Sequence, residues 1–214
     1  MQTDRKQAAL PVLTALMVTT YLTANIMAVK LISVFSLTLF DAGTITFPLA
    51  YVIGDVVTEV YGLKTAKRLI WLTFACNLLL VAATSVGILL PYPDYMADTQ
   101  AAYSHIFLVV PRILGASLAA FLAGEFANAH IMVRLKKMTN GKHLWLRTIG
   151  SSAVGYLLDT AIFVLLAFSF TDVPAADLAV MILAQYLMKL GIESLCGTPL
   201  AYAVVGWLRK GERA

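Results

Sequence analysis

The sequence predicts an all-α integral membrane protein with six transmembrane helices and both termini in the cytoplasm, and three observations predict it. First, the 214 residues are 60% hydrophobic and 13% charged, with a mean hydropathy of +0.81, whereas roughly a quarter of residues are charged in an average soluble domain. Second, the Lys and Arg residues outside the apolar runs sit on alternate connections. Arg5 and Lys6 precede the first run; Lys64, Lys67 and Arg68 follow the second; Arg134, Lys136, Lys137, Lys142 and Arg147 follow the fourth; Arg209, Lys210 and Arg213 follow the sixth. The connections between them, 31–43, 91–105 and 171–177, carry only acids: Asp41, Asp94, Asp98, Asp172 and Asp177. Positive loops are retained on the cytoplasmic side, so the alternation orients every span. Third, six spans of about 20 residues occupy some 120 positions. That leaves short loops and a single polytopic membrane domain over 1–214.

The spans are expected at about 10–30, 44–62, 68–90, 105–133, 148–170 and 178–208. The first has the basic start of a secretory signal, but its length and the spans that follow it read as a retained helix. Between the third and fourth spans, PYPDYMADTQAAYSH at 91–105 places Tyr92, Tyr95 and Tyr103 among two prolines, the composition of an outer interfacial cap. The fourth span carries two small-residue faces, Gly115, Ala119 and Ala123 on one and Ala120 with Gly124 on the other, suited to close helix packing within one bundle or in a homodimer. Asn140-Gly141 turns the chain on the inner side and Trp145 anchors in headgroups. Pro48, Pro111 and Pro199 interrupt helical hydrogen bonding, with Pro199 placed to kink the sixth span. Three spans followed by three more gives halves of opposite orientation, the arrangement of a 3+3 inverted repeat. The corresponding second and fifth spans each hold a central acid, Asp55 and Asp159.

Five carboxylates, Asp55, Glu59, Glu125, Asp159 and Glu193, and two cations, Arg112 and Lys189, lie inside the predicted spans. Each charge near the bilayer centre costs roughly 2.5–3.5 kcal/mol on insertion scales, so these groups should converge on a polar interior. Tyr51, Asp55 and Glu59 recur every four residues along one face of the second helix; Gln185, Lys189 and Glu193 do the same on the sixth. If the faces meet, Lys189 can neutralise Asp55 or Glu193. A buried salt-bridge network that fixes helix register is the bland reading of any one of these residues. A lone buried acid can instead carry a proton, and one paired with a cation stays ionised and accepts hydrogen bonds from a ligand. An aromatic heterocycle with adjacent N–H donors fits the second role, with Phe47, Tyr51 or Tyr156 as stacking or hydroxyl partners. Asn25 and Asn128 suit ligand contact and interhelical glue equally.

Other chemistries find little support. His105, His130 and His143 have no metal-ligand spacing, so no metal is expected. Cys76 and Cys196 read as separate buried thiols. No phosphate-cradling glycine loop or nucleophile elbow is present, so neither an enzyme nor a cofactor is expected. The basic residues form no stripe interleaved with aromatics, which argues against nucleic acid and for lipid headgroups as the partner of the net charge of +4.

From about Asn25 to Tyr202, collinear segments resemble the queuosine precursor transporter family, also called the vitamin uptake transporter family. They are NIMAVK at 25–30, FPLAYVIGDVVTEVYG at 47–62, GEFANAHIMVRLK at 124–136, GYLLDTAIF at 155–163, and Lys189 with TPLAY at 198–202. Leu63 departs from the aromatic residue that many members carry there. The resemblance implies a six-span importer of the inner membrane for 7-deazaguanine compounds such as 7-cyano-7-deazaguanine, its aminomethyl relative or queuine, used to make the queuosine of tRNA. It implies substrate or proton duty for Asp55, Glu59, Asp159 and Glu193, substrate contacts from Asn25, Phe47, Tyr51 and Lys189, and a proton or charge network of Arg112, Glu125 and Asn128. A 7-deazaguanine presents N1–H beside a 2-amino group, so a carboxylate can take both hydrogen bonds while an aromatic ring covers the flat face. A secondary transporter is the leading expectation. The alternatives are the substrate-binding membrane subunit of an ATP-driven uptake system and a structural subunit whose charges only hold helices together.

Overall fold

The structure, a computed structural model, describes residues 2–34, 37–108, 110–169 and 175–208, with side chains described except at 2–4, 31, 33–39, 108 and 110–114. The side chain of Arg112 therefore lies outside the described residues. The chain is almost wholly helical: α1 Gln2–Met27, α2 Gly43–Tyr61, α3 Leu63–Leu89, α4 Ala97–Leu108, α5 Val110–Met138, α6 Leu144–Phe168, α7 Ala175–Ile192 and α8 Thr198–Leu208. A short antiparallel hairpin, β1 Leu31–Val34 and β2 Leu37–Asp41, joins α1 to α2 where a plain loop was expected. Ala42 N–H donates to the Lys30 carbonyl at 2.8 Å and closes it.

Five segments among the described residues are long and apolar enough to cross a bilayer: Arg5–Met27, Leu63–Leu89, Gly115–Met138, Leu144–Phe168 and Ala175–Leu208. Helix α2, the expected second span, is not among them, and its position explains why it is tolerated. It packs against α1, α3, α5, α7 and α8 and buries Phe47, Tyr51, Asp55 and Glu59. A helix carrying two acids cannot face hydrocarbon, so it becomes the centre of the bundle and the apolar helices surround it. Their outer surfaces expose Trp71, Leu79, Leu183 and Leu195, apolar area of a size that a water-soluble monomer does not present.

Several boundaries differ from the sequence expectation, each for a local reason. Helix α3 starts at Leu63 rather than 68, because Lys64, Lys67 and Arg68 continue the helix and can reach headgroups along their own stems. The turn between α2 and α3 is a single residue, Gly62, at φ 82°, whose N–H returns to the Thr58 carbonyl at 3.1 Å. The tyrosine-rich cap contains α4, held to the bundle by Gln100 Nε2 donating to the Ile88 carbonyl and Tyr103 donating to the Thr84 carbonyl. Asn140, Gly141 and His143 all take positive φ in the turn before α6.

The sixth span is not one regular helix. Glu193–Gly197 forms a π-turn between α7 and α8. Pro199 has no N–H to offer the Leu195 carbonyl one turn back, and the wider turn absorbs the mismatch, with Thr198 N–H bonding Glu193 O. Helices α5 and α6 pack as a close antiparallel pair, where a Cβ on Gly155 would lie 3.1 Å from the Gly124 carbonyl. Of the two small-residue faces on α5, Ala120 and Gly124 are buried inside the bundle, while Gly115 and Ala119 open outward. Both cysteines are free, and Cys196 is exposed on the apolar exterior rather than buried as expected.

Candidate functional site

Phe47, Tyr51, Asp55 and Glu59 follow one another down a single face of α2, each step about 6 Å along the axis. The polar groups of the bundle are arranged in three tiers beside them.

The first tier is a cleft of about 340 Å³, counting its open mouth, at the hairpin end. Asn25, Asp41, Phe47, Ser117, Asp159 and Lys189 contribute to its wall. At its base Lys189 Nζ donates to Asp159 Oδ2 at 2.7 Å and to Thr160 Oγ1 at 3.3 Å, and it lies 4.6 Å from the centre of the Phe47 ring. This corrects the expectation that Lys189 would pair with Asp55 or Glu193. Lys189 lies fourteen positions into α7 and turns toward α6, where Asp159 is the acid within reach. Asn25 accepts from Ser117 Oγ at 2.7 Å and donates to Asn77 at 3.2 Å, so it is both cleft wall and interhelical tie. Asp41 was read only as an acid of an outer loop. The hairpin folds it back over the start of α2, where the N–H and hydroxyl of Thr44 donate to its two oxygens at 3.1 and 3.3 Å. Burial pushes the Asp41 carboxyl above its usual range, and the Lys189 charge and Thr44 bonds oppose that.

Beneath the cleft an aromatic column closes the bundle. Tyr21 packs at a tilt against Phe47 and Phe121 at 5.5 and 4.1 Å between ring centres, Phe47 against Tyr51 at 5.7 Å, and Tyr51 against Tyr156 at 4.3 Å. The Tyr51 hydroxyl reaches between α5 and α6, where it occupies the space a side chain on Gly124 would need.

The second tier holds Asp55, Glu125 and Glu193, all essentially inaccessible. Asn128 donates to Asp55 Oδ1 at 2.8 Å, and the Tyr156 hydroxyl donates to Glu193 Oε2 at 2.9 Å. Glu125 Oε2 faces the α2 backbone at Gly54. None of these three carboxyls meets a cation among the described residues. Asp159 differs from them in pairing with Lys189 of the cleft, and it is also a charged neighbour of Glu125.

The third tier is a buried ion cluster at the opposite end. Glu59 Oε1 lies 3.0 Å from Arg147 Nη2 and 3.1 Å from Lys136 Nζ. Glu59 is thus set apart from the ligand group in which the sequence placed it, because one more helical turn beyond Asp55 carries it to the basic turn between α5 and α6. Arg147 was counted as a loop charge, yet it is 1% exposed, with Nη1 donating to the Lys142 carbonyl at 2.6 Å. Its position seven residues after Asn140-Gly141, one helical turn into α6, was the signal available in the sequence. Replacing Arg147 by Gln should cost about 2 kcal/mol, less than a fully orphaned buried charge because Lys136 stays beside Glu59. A detergent-solubilised variant that melts like the parent would remove Arg147 from this cluster.

Comparison with known proteins follows the same residues. The family described as "Putative vitamin uptake transporter" matches residues 41–204. A Bacillus subtilis protein named "Probable queuosine precursor transporter" is 32% identical over 193 residues, 89% of this chain and 82% of that protein. A Haemophilus influenzae protein of the same name is 28% identical over 165 residues, covering 76% of this chain and 67% of the relative. The Escherichia coli "Queuosine precursor transporter" is 27% identical over 128 residues, 59% of this chain and 54% of the relative. No solved structure matches the chain.

Proposed function

The chain belongs to the vitamin uptake transporter family, and from that premise we propose that it imports a queuosine precursor across the inner membrane as a secondary transporter of six spans, α1, α2, α3, α5, α6 and the α7–α8 pair. In this reading both termini are cytoplasmic and the hairpin end with its cleft faces outward, consistent with the basic connections at the other end. Spans one to three and four to six run in opposite orientation, with Asp55 on α2 and Asp159 on α6 in corresponding members.

The observation that carries the proposal is the cleft that joins an aromatic face, a carboxylate paired with a lysine, and further hydrogen-bonding groups. A flat 7-deazaguanine ring would lie against Phe47 and present N1–H and its 2-amino group to a carboxylate, with Asp159 or Asp41 as acceptor. Asn25 and Ser117 would bond the remaining heteroatoms. The Lys189–Asp159 pair would then do what a paired acid does best, remaining ionised while it accepts donors from the ligand.

Ligand-induced thermal stabilisation of the detergent-solubilised protein tests this. Queuine, 7-cyano-7-deazaguanine and 7-aminomethyl-7-deazaguanine are expected to stabilise it by mass action, and guanine less. Phe47→Leu keeps apolar volume but removes the ring face, and should weaken binding by up to about tenfold, from stacking worth roughly 0.5–1.5 kcal/mol. Equal stabilisation by none of the deazaguanines, or by guanine alone, would overturn the substrate assignment.

A further inference from the structure

We propose that Asp55, Glu125 and Glu193 form a proton-carrying chamber that couples uptake to the proton gradient; this rests on the importer reading above. The argument begins with hydrogen-bond accounting in a place where water cannot make up the difference freely. Asp55 Oδ2, Glu125 Oε1 and Asn128 Oδ1 are buried and have no donor among the described residues, while the Tyr51 hydroxyl, also fully buried, has no acceptor. Carboxylates only accept hydrogen bonds. One N–H of Asn128 goes to Asp55, and Glu193 has the hydroxyls of Tyr156 and Ser152 beside it, so Asp55 and Glu125 carry most of the deficit. Each proton taken up by one of these carboxyls adds a donor and removes a charge from a region that pays heavily for both deficits.

The charged groups around the chamber do not relieve it. From α2, Asp55 is faced by Glu59, which already holds Arg147 and Lys136. From α5 it is faced by Glu125 and Asn128, and from the π-turn after α7 by Glu193. Helix α6 supplies Tyr156, bonded to Glu193, and Asp159, bonded to Lys189 of α7.

Position gives the chamber its coupling role. The Tyr51 ring and hydroxyl pack against Gly124 and Gly155 close to Asp159, within electrostatic reach of Asp159, Glu125 and Asp55 alike. A ligand that moves the aromatic column would join or part the cleft and the three carboxyls. Glu193 opens the π-turn, and Gly197, at its end, lies against Val52 and the Glu193 carboxylate. Rearranging this irregular turn would turn Glu193 toward one side of the membrane or the other. The step itself is proton transfer only: a carboxylate takes H⁺ from hydronium on the entry side, leaving water, and the carboxylic acid returns H⁺ to water on the cytoplasmic side.

The experiment uses the purified full chain in proteoliposomes with a pH dye trapped inside, membrane potential clamped with valinomycin and potassium, and radiolabelled 7-cyano-7-deazaguanine as the probe. Entry of the compound should acidify the lumen. One unit of pH difference, acid outside, should drive about tenfold accumulation for one coupled proton per molecule. Glu193→Gln and Asp55→Asn should abolish that accumulation while retaining exchange of labelled for unlabelled compound at equal pH. Exchange by the wild-type protein with accumulation indifferent to pH, or with a flat lumen pH, would overturn the chamber and leave the importer reading standing. Absence of exchange in the wild type would overturn both. Gradient-driven accumulation surviving in the Gln and Asn variants would also remove these carboxyls from coupling.

Discussion

Replacing Lys189 with methionine is expected to remove roughly 3–5 kcal/mol of folding stability, the cost of leaving one member of a buried ion pair without its partner. Lys189 is 4% exposed and Asp159 3%, and among the described residues each makes its one salt bridge with the other, at 2.7 Å. Methionine preserves most of the packing volume against Phe47, so the loss would report charge rather than a cavity. Adding Asp159→Asn to Lys189→Met should recover most of the stability, since replacing both members of a buried pair is often close to neutral. Ligand binding should stay impaired in the double variant if Asp159 is the acceptor, and recover with stability if Asp41 is, because the double variant removes the first carboxylate of the cleft and keeps the second. Denaturant titration of the four proteins in one detergent would check the cycle. A double variant no more stable than Lys189→Met would break the assignment of this pair.

Gly124→Ala should cost roughly 3 kcal/mol or more, at or above the upper end of ordinary overpacking. The new methyl group would run into the Tyr51 hydroxyl, and it would lie 2.8 Å from Asp159 Cβ and 2.9 Å from the Gly155 carbonyl oxygen. The first neighbour can be removed. Tyr51→Phe in the same chain should recover part of the loss, and only part, because backbone and Cβ atoms on α6 cannot retreat without opening the α5–α6 pair. Gly115→Ala on the same helix is the control: a Cβ there meets nothing within 4 Å, and alanine's helix propensity favours it by about 1 kcal/mol. Equal melting temperatures for Gly115→Ala and Gly124→Ala would contradict the close approach.

Much of the fold was legible before any coordinates. The alternation of basic and acidic connections located the long helices, because charge and hydrophobic length are properties of a segment by itself. The four-residue spacing of Tyr51, Asp55 and Glu59 predicted a shared face, and it forms. Partner choice was not legible in the same way. The spacing offered Lys189 two partners, Asp55 or Glu193, and only the rotation of α7 against α6 selects Asp159 instead. Asp41 and Arg147 were hidden by the rule that served elsewhere: both lie beside connections, and a loop charge is normally solvated. The hairpin turns Asp41 inward, and the first turn of α6 carries Arg147 under the bundle to Glu59.

Taken alone, the sequence determined that this chain crosses a membrane, which helices are apolar, and that its acids must be kept from lipid, because transfer cost depends on residue type and length. Only the tertiary structure decided that Asp159 lines a cleft, that Asp55, Glu125 and Glu193 are buried without a cation among the described residues, and that Glu59 joins an ion cluster. Coulomb and hydrogen-bond energies at 3 Å depend on how helices are rotated and how closely they approach, and those are set jointly by every side chain between them.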